Sequence, residues 1–441
     1  LCFSIKDAGS GQWGRRATAK GHIIMSGHAD TVVVVGAGIV GVSTAIWLRR
    51  AGRDVVVVDK GAPGQGTSFG NAGVLASCSM VPVTAPGLLR KAPRMLMNPD
   101  FPLFLRWSYL PKLLPWLVKY LGHANDADTR RIARDLTPIV GDSVDQHLML
   151  SKGTRASEWV AQSDYTFAYR DRAAFEGDAY TWGLRADNGF APEVLEGGAV
   201  KDYEPHLGDA VGCLAVMKDH GYVRDPGGYV AALAEEFLSL GGEIRQAEVA
   251  GFTFEGDHVT AVETKGQGAI ACPGGVVLAT GVWSKPLMKR LGLEVPLESE
   301  RGYHIVFEDA TGGPRVPMMV SSGKFVATPM AQGLRCAGVV EFGGLEAGPS
   351  KAPFALLRKQ VREAFPGLKA KAEIEWQGHR PAPSDSLPLI GQVGRSGVYV
   401  GFGHHHIGLT GGPKTGRLLS QIITGQVPNM DMAPYDPARF A

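Results

Sequence analysis

Residues 31–60 read TVVVVGAGIVGVSTAIWLRRAGRDVVVVDK: a β-branched run, a glycine cluster, an apolar-periodic helix and a second β-branched run. That order predicts a strand–helix–strand unit with parallel strands. Arg49 and Arg50 fall in the last helical turn, where the helix dipole favours cations, and Gly52 follows as a left-handed cap. Gly36, Gly38 and Gly41 form G-x-G-x-x-G at the strand-to-helix turn. In a glycine-rich chain that spacing means little by itself, but here it follows a strand and opens a helix. The first glycine then allows the tight turn, the second lets a pyrophosphate approach the backbone, and the third lets helix and strand pack closely. Ile39 and Val40 open the helix, whose unpaired N–H groups face the anion. Asp59 ends the second strand 23 positions after Gly36, with Lys60 next to it. A carboxylate there accepts hydrogen bonds from both ribose hydroxyls and repels a 2'-phosphate, so a dinucleotide is expected.

Three flanking features favour FAD over NAD. The loop GAPGQGTSFGNAG (61–73) supplies Thr67, Ser68, Asn71, Ala72 and Gly73, with Val74 just beyond, as donors and close backbone for a long pyrophosphate–ribityl ligand. The buried strand GGVVLATG brings Ala279, Thr280 and Gly281 to the same sheet edge, followed by Trp283. Near the C-terminus, Gly403 and His404 precede a turn in which Gly408, Leu409 and Thr410 open a helix. Its positive end suits the charge that builds on a reduced flavin pyrimidine. No second glycine fingerprint follows a strand, so electrons are expected to enter from an organic substrate and not from a nicotinamide.

Composition sets the outer limits. Of 441 residues 44% are hydrophobic and 20% charged, and 45 Lys+Arg against 43 Asp+Glu leave a net charge of +2. This fills a core and gives no bulk reason to expect a nucleic acid partner. Glycine, 59 residues, is about 13% of the chain, roughly twice the usual ~7%. Five scattered cysteines show no metal or disulfide spacing, which fits a cytoplasmic setting. No run of about 18 apolar residues is present, and residues 1–30 read as an extension outside the fold, with a natural start at Met25. Oligomeric state is not legible.

The segment from Leu88 to Leu121 mixes Leu, Trp, Phe and Pro with six basic residues against one acid, and short helices broken at Pro102, Pro111 and Pro115 are expected. It suits either a cover over the flavin half or a patch that touches anionic lipid at the inner face of the plasma membrane and admits quinone. GYHIVF, KFVATPM and LRCAGVV read as strands of a second, mostly antiparallel sheet. The fold class is therefore α/β and α+β. A discontinuous Rossmann-like FAD-binding domain (31–90, 221–297, 376–430) carries an inserted mixed-sheet substrate domain (91–220, 298–375).

The stretches VVVVGAGIVGVSTAIWL, VVDKGAPGQGTSFGNAG, VVLATGVWS, GHRPAPSDSLPLIG and GHHHIGLTGGPKTGRLLSQIITG resemble the D-amino-acid oxidase superfamily of flavoproteins, most closely its bacterial D-amino acid dehydrogenase branch. The resemblance implies oxidation of a small amino acid, or of a cyclic one such as D-proline, with electrons passed to quinone or another acceptor. A glycine or sarcosine oxidase using oxygen and a non-catalytic flavin subunit are the alternatives. It also implies that the Val249 backbone touches the adenine side. Relatives with covalent flavin use a cysteine near the arginine motif; PAPSDSLPLIG after Arg380 has none, so noncovalent FAD is expected.

Hydride transfer from an amino acid needs its carboxylate held, and a guanidinium grips a carboxylate in two parallel bonds. Arg380, in GHRP, matches the family position for that clamp; a structural ion pair is the bland alternative. Tyr303 could donate to the carboxylate or belong to the core. His406 stands where a related glycine oxidase pattern has arginine, which makes a polar group facing the substrate plausible beside a purely structural histidine. In an extended GHHH segment only His404 and His406 would share a face, and no carboxylate or cysteine nearby completes a metal set. His304 is expected to point away from the substrate, and Glu341 to be a solvated turn carboxylate.

Overall fold

A computed structural model describes residues 30–98 and 100–441; the expected extension lies outside the described residues apart from Asp30. The strand Val32–Val35, the helix Ile39–Arg50 and the strand Val55–Asp59 form the parallel unit expected, with Gly52 in the left-handed region at φ 82°. They sit in a six-stranded sheet ordered Leu389–Gln392, Val398–Phe402, Val276–Leu278, Val32–Val35, Val55–Asp59, Glu243–Gln246. All its neighbours are parallel except the first pair. Both faces of such a sheet are covered at its centre, which is why Val32–Val35 and Val55–Asp59 read as unbroken valine runs. The helices Ile39–Arg50, Pro226–Ser239 and Gly408–Ile423 pack in the core on one side, and a three-stranded antiparallel sheet (Val249–Glu255, His258–Thr264, Gly268–Ala271) lies against the other.

The second sheet has ten strands along the path Ala372–Pro383, Leu297–Glu308, Gly333–Phe342, Phe325–Met330, Met318–Val320, Val160–Tyr169, Cys213–Val223, Val74–Leu75, with two short strands paired at its flanks. Register decides what faces the cavity between the two sheets. Glu300 pairs with Arg380, Gly302 with Gly378 and Val340, and His304 with Trp376, so these side chains share one face; Arg301 and Tyr303 share the other, against the helix Lys351–Ala364.

Two segments sit elsewhere than the expected boundaries place them. The helices Asp126–Val140 and Ser143–Ser151, read as part of the substrate half, bury Ile132, Leu136, Ile139 and Leu150 in the dinucleotide core. Residues 376–383, assigned to the dinucleotide half, continue the edge strand of the substrate sheet. Hydrophobic patterning shows that a face is buried but not against which partner. Pro115 also fails to break its helix, which runs unbroken over Leu110–Gly122. Pro115 and Pro111 are both exposed, so the carbonyl that Pro115 leaves without an intrahelical donor meets water.

Candidate active site

The glycine fingerprint forms a cradle in the sense expected. Gly36 has φ 109°, and a Cβ there would lie 2.5 Å from the Ala279 carbonyl oxygen; a Cβ on Gly41 would overlap the Gly36 carbonyl. Only hydrogen fits at either place. Gly38 caps the Ile39–Arg50 helix without a side-chain bond, and the N–H of Ile39 meets Ser68 Oγ at 3.1 Å. Asp59 accepts from the N–H of Ala37 (2.6 Å) and Gly61 (2.9 Å), which fixes its carboxylate at the strand end. Lys60 lies over the Trp283 ring at 4.4 Å.

A cavity of about 1290 Å³ runs from this cradle beneath the ten-stranded sheet. It meets Thr67, Ser68, Asn71, Ala72, Val74, Val249, Ala279, Thr280, Gly281 and Trp283, then Gly403, His404, Gly408, Leu409 and Thr410, and ends near Gly302, Arg380 and His406. Gly73 stays just outside it, with φ 79° and its N–H on Asn71 Oδ1. A second helix N-terminus, at Gly408, opens on the cavity without a side-chain cap. The Gly408–Ile423 helix opens where the sequence places it and passes through Pro413. Pro413 has no N–H, so the Leu409 carbonyl loses its intrahelical donor, and His147 Nε2–H supplies one at 2.9 Å while Tyr229 donates to His147 Nδ1 at 3.0 Å. Burial pushes His147 down to about 4 and keeps it neutral.

The loop 61–73 is held from the substrate sheet by residues that carry no local signal. Arg335 donates to the carbonyls of Phe69 and Asn71, both at 2.7 Å, and His304 Nδ1 donates to the Gly70 carbonyl at 3.0 Å. Trp376 stacks on His304 and fills the space that any side chain at Gly70 would need. His304 thus shares the cavity-side face, not the opposite one, but its ring serves the loop. Arg335→Met removes two charge-assisted bonds of about 1.5–3 kcal/mol each. FAD affinity is therefore expected to fall by at least on the order of 100-fold, measured by titrating apoprotein with FAD and following fluorescence quenching; an unchanged dissociation constant would remove Arg335 from this role.

At the far end, the Arg380 guanidinium lies against Gly302, where a Cβ would come within 2.8 Å of Cζ. Its nearest charged neighbour is Glu300, 3.6 Å from Nη1, and among the described residues no hydrogen bond takes up its five donors. A guanidinium so placed can hold a planar anion in two bonds. Arg301, by contrast, is wholly buried against Glu341 and the carbonyls of Ala347 and Gly348.

Tyr303, Glu341 and the histidine triplet depart from the reading of the sequence. Tyr303 points to the sheet face opposite Arg380, donating to Glu341 Oε2 at 2.5 Å and packing on Phe354. Glu341 is no turn carboxylate: it lies inside the strand, 3% exposed, paired with Arg301 at 2.8 Å and accepting from Ser350 Oγ at 2.6 Å. The triplet at 404–406 is a turn, not an extended run. His405 has φ 51°, which brings the rings of His405 and His406 together at 4.9 Å, while His404 turns away to Thr415. His405 Nε2 stands 2.7 Å from Glu300 Oε2, a close contact without the alignment of a straight hydrogen bond. His406 is exposed and lines the cavity. Desolvation pushes it down to about 3. Burial raises the Glu300 carboxyl, but His405 and Arg380 outweigh it and hold the group at about 2. No group of residues suited to a metal ion occurs among the described residues.

A family model described as FAD dependent oxidoreductase (DAO) matches residues 31–422. A D-amino-acid oxidase of Bradyrhizobium diazoefficiens is 40% identical over 418 residues, covering 93% of this chain and 98% of the relative. A D-amino acid dehydrogenase of Rhizobium rhizogenes is 30% identical over 421 residues, covering 93% and 99%. Among solved structures, L-proline dehydrogenase from P. horikoshii superposes with TM-score 0.70 at 19% identity, covering 93% of this chain and 97% of that one, and so shares the fold. The uncapped helix ends, the side-chain-free cradle and the fixed Asp59 fit the dinucleotide this family carries.

Proposed function

The chain belongs to the DAO family of FAD-dependent oxidoreductases, and from that premise we propose that it oxidises D-amino acids, or cyclic D-imino acids such as D-proline, to the corresponding imino acids. The observation that carries this reading is Arg380: a guanidinium facing the cavity with no hydrogen-bond acceptor among the described residues. Arg380 binds the substrate carboxylate in two parallel bonds, Gly302 leaves room for the fork, and His406 faces the amine. Bound FAD supplies the acceptor for two electrons, and the protein's part is to hold the α carbon against it and keep water out. Phe342, Val340 and Leu105 provide apolar wall. The residues named around the cradle hold the cofactor without a covalent bond, and no cysteine lines the cavity among the described residues.

Electrons then pass to quinone or another carrier. The helix Leu110–Gly122 supports a route for an apolar acceptor: Leu113 and Leu117 line the cavity, Leu113, Trp116 and Tyr120 are buried, and Leu114 and Val118 are exposed beside Lys112 and Lys119. Trp107, 68% exposed, flanks it. Oxygen is the second reading, favoured by the oxidase name of the 40% identical relative. No helix among the described residues is long and apolar enough to cross a membrane.

Anaerobic mixing of the FAD-loaded protein with D- and L-amino acids, glycine, sarcosine and 2-hydroxy acids tests the reading. Loss of the flavin band near roughly 450 nm with D-amino acids is the expected result; bleaching by sarcosine or glycine alone would overturn it.

A further inference from the structure

Resting on the D-amino acid reading above, we propose that His406 takes the proton from the substrate ammonium, and that His405 and Glu300 behind it hold the charge that arrives. An amino acid reaches the site protonated on nitrogen. While that nitrogen carries its extra proton it has no lone pair to form the C=N bond, so the α hydrogen cannot leave with its electrons until a base has acted. Arg380 is a permanent cation and Tyr303 lies on the far face of its strand, so neither is that base.

His406 is placed for it. Nε2 has no partner among the described residues and the ring is open to the cavity, while Nδ1 lies 3.3 Å from His405 Nδ1. Two Nδ1 atoms at that distance can share one proton, so the tautomers are coupled. His405 has Glu300 2.7 Å from its Nε2, which favours the proton there and leaves its Nδ1 as acceptor. His406 then carries its proton on Nδ1 and presents a bare Nε2 to the cavity. The left-handed backbone at His405, with its N–H on the Pro381 carbonyl at 2.9 Å, creates this arrangement; an extended triplet would separate the two rings.

In the step itself the substrate N–H bond breaks, an Nε2–H bond forms on His406, and the substrate nitrogen regains its lone pair. Transfer of the Nδ1 proton to His405 then leaves the positive ring beside Glu300. The other titratable and charged groups facing this pair are Arg380 on the edge strand and Tyr120 on the helix Leu110–Gly122, whose hydroxyl burial and Glu300 keep protonated. Desolvation, assisted by the Arg380 cation, keeps His406 neutral before substrate arrives, so it offers a lone pair and not a like charge. Occupation of Arg380 by the substrate carboxylate removes part of that opposition.

The test uses FAD-loaded wild type and His406→Gln, with the D-amino acid that bleaches wild type fastest, over pH 6 to 10. His406→Gln is expected to reduce the flavin on the order of 100-fold more slowly near neutrality. Its rate should then climb about tenfold per pH unit toward wild type, because solution supplies substrate already deprotonated. Nitrogen-15 spectra of the imidazoles, taken without substrate, should place the His406 proton on Nδ1, and His405→Phe should abolish that preference. A His406→Gln variant with the wild-type pH profile, or a His406 proton on Nε2, would overturn the relay alone. A wild type bleached by no D-amino acid would overturn the substrate reading and the relay with it.

Discussion

Arg380→Met is expected to leave the flavin bound and to slow its anaerobic reduction by D-amino acids on the order of a thousand-fold. The variant loses two parallel charge-assisted bonds to the carboxylate and the orientation they impose on the α carbon. Together these are about 4 kcal/mol of transition-state stabilisation, at about 1.36 kcal/mol per factor of ten. Arg380→Lys keeps the charge but not the fork and should fall between, roughly 10- to 100-fold slow. Gly302→Ala tests the same geometry from the neighbouring strand, since its methyl would displace the guanidinium. The contrasting view of Arg380 is an ion pair with Glu300. On that view Arg380→Met would lower the melting temperature and leave reduction rapid, so the two measurements separate the roles.

The second large effect is acid sensitivity. His147, His304 and His404 are buried, with burial the leading cause that holds them down to about 4, 3 and 4. A histidine depressed in the fold takes up its proton on unfolding between its folded value and its ordinary value of about 6.5. Its contribution to stability is therefore complete above pH 6.5 and is lost as pH falls toward 4. Between pH 7.5 and 5.5 each such group costs about 1.3 kcal/mol, so the three together remove about 4 kcal/mol. Urea denaturation of the FAD-loaded protein at the two pH values measures this. Equal stabilities would mean that these rings are charged or solvated. His147→Gln should reduce the pH dependence by about 1.3 kcal/mol, the share of one such group.

Local rules made the cradle legible: the glycine spacing, the flanking valine runs and Asp59 each constrain a few neighbouring residues, and the structure places them together. Arg380 and His406 reached the same cavity through resemblance of motifs and not through periodicity. Other side chains take their roles from long-range pairing. Glu341 looked like a turn residue because Arg301, which neutralises it, lies on another strand 40 positions away in sequence. Arg335 and Trp376 grip the loop at 69–71 from strands hundreds of residues downstream, and nothing around them signals it. The histidine triplet was misplaced for a different reason. Period-two reasoning assumes extended backbone, and one left-handed residue at His405 reverses which rings meet. The helix ending at Gly122 shows the limit of proline as punctuation: an exposed carbonyl beside Pro115 costs little, so the helix continues.

The most direct measurement is single-turnover anaerobic reduction of the FAD-loaded protein by a D-amino acid carrying protium or deuterium on its α carbon, with the L-enantiomer run in parallel. The account predicts that the D-compound bleaches the flavin, that deuterium slows the bleaching, and that the L-enantiomer leaves the band intact. Persistence of the oxidised flavin with every D-amino acid, or equal reduction by both enantiomers with no isotope effect, would contradict it.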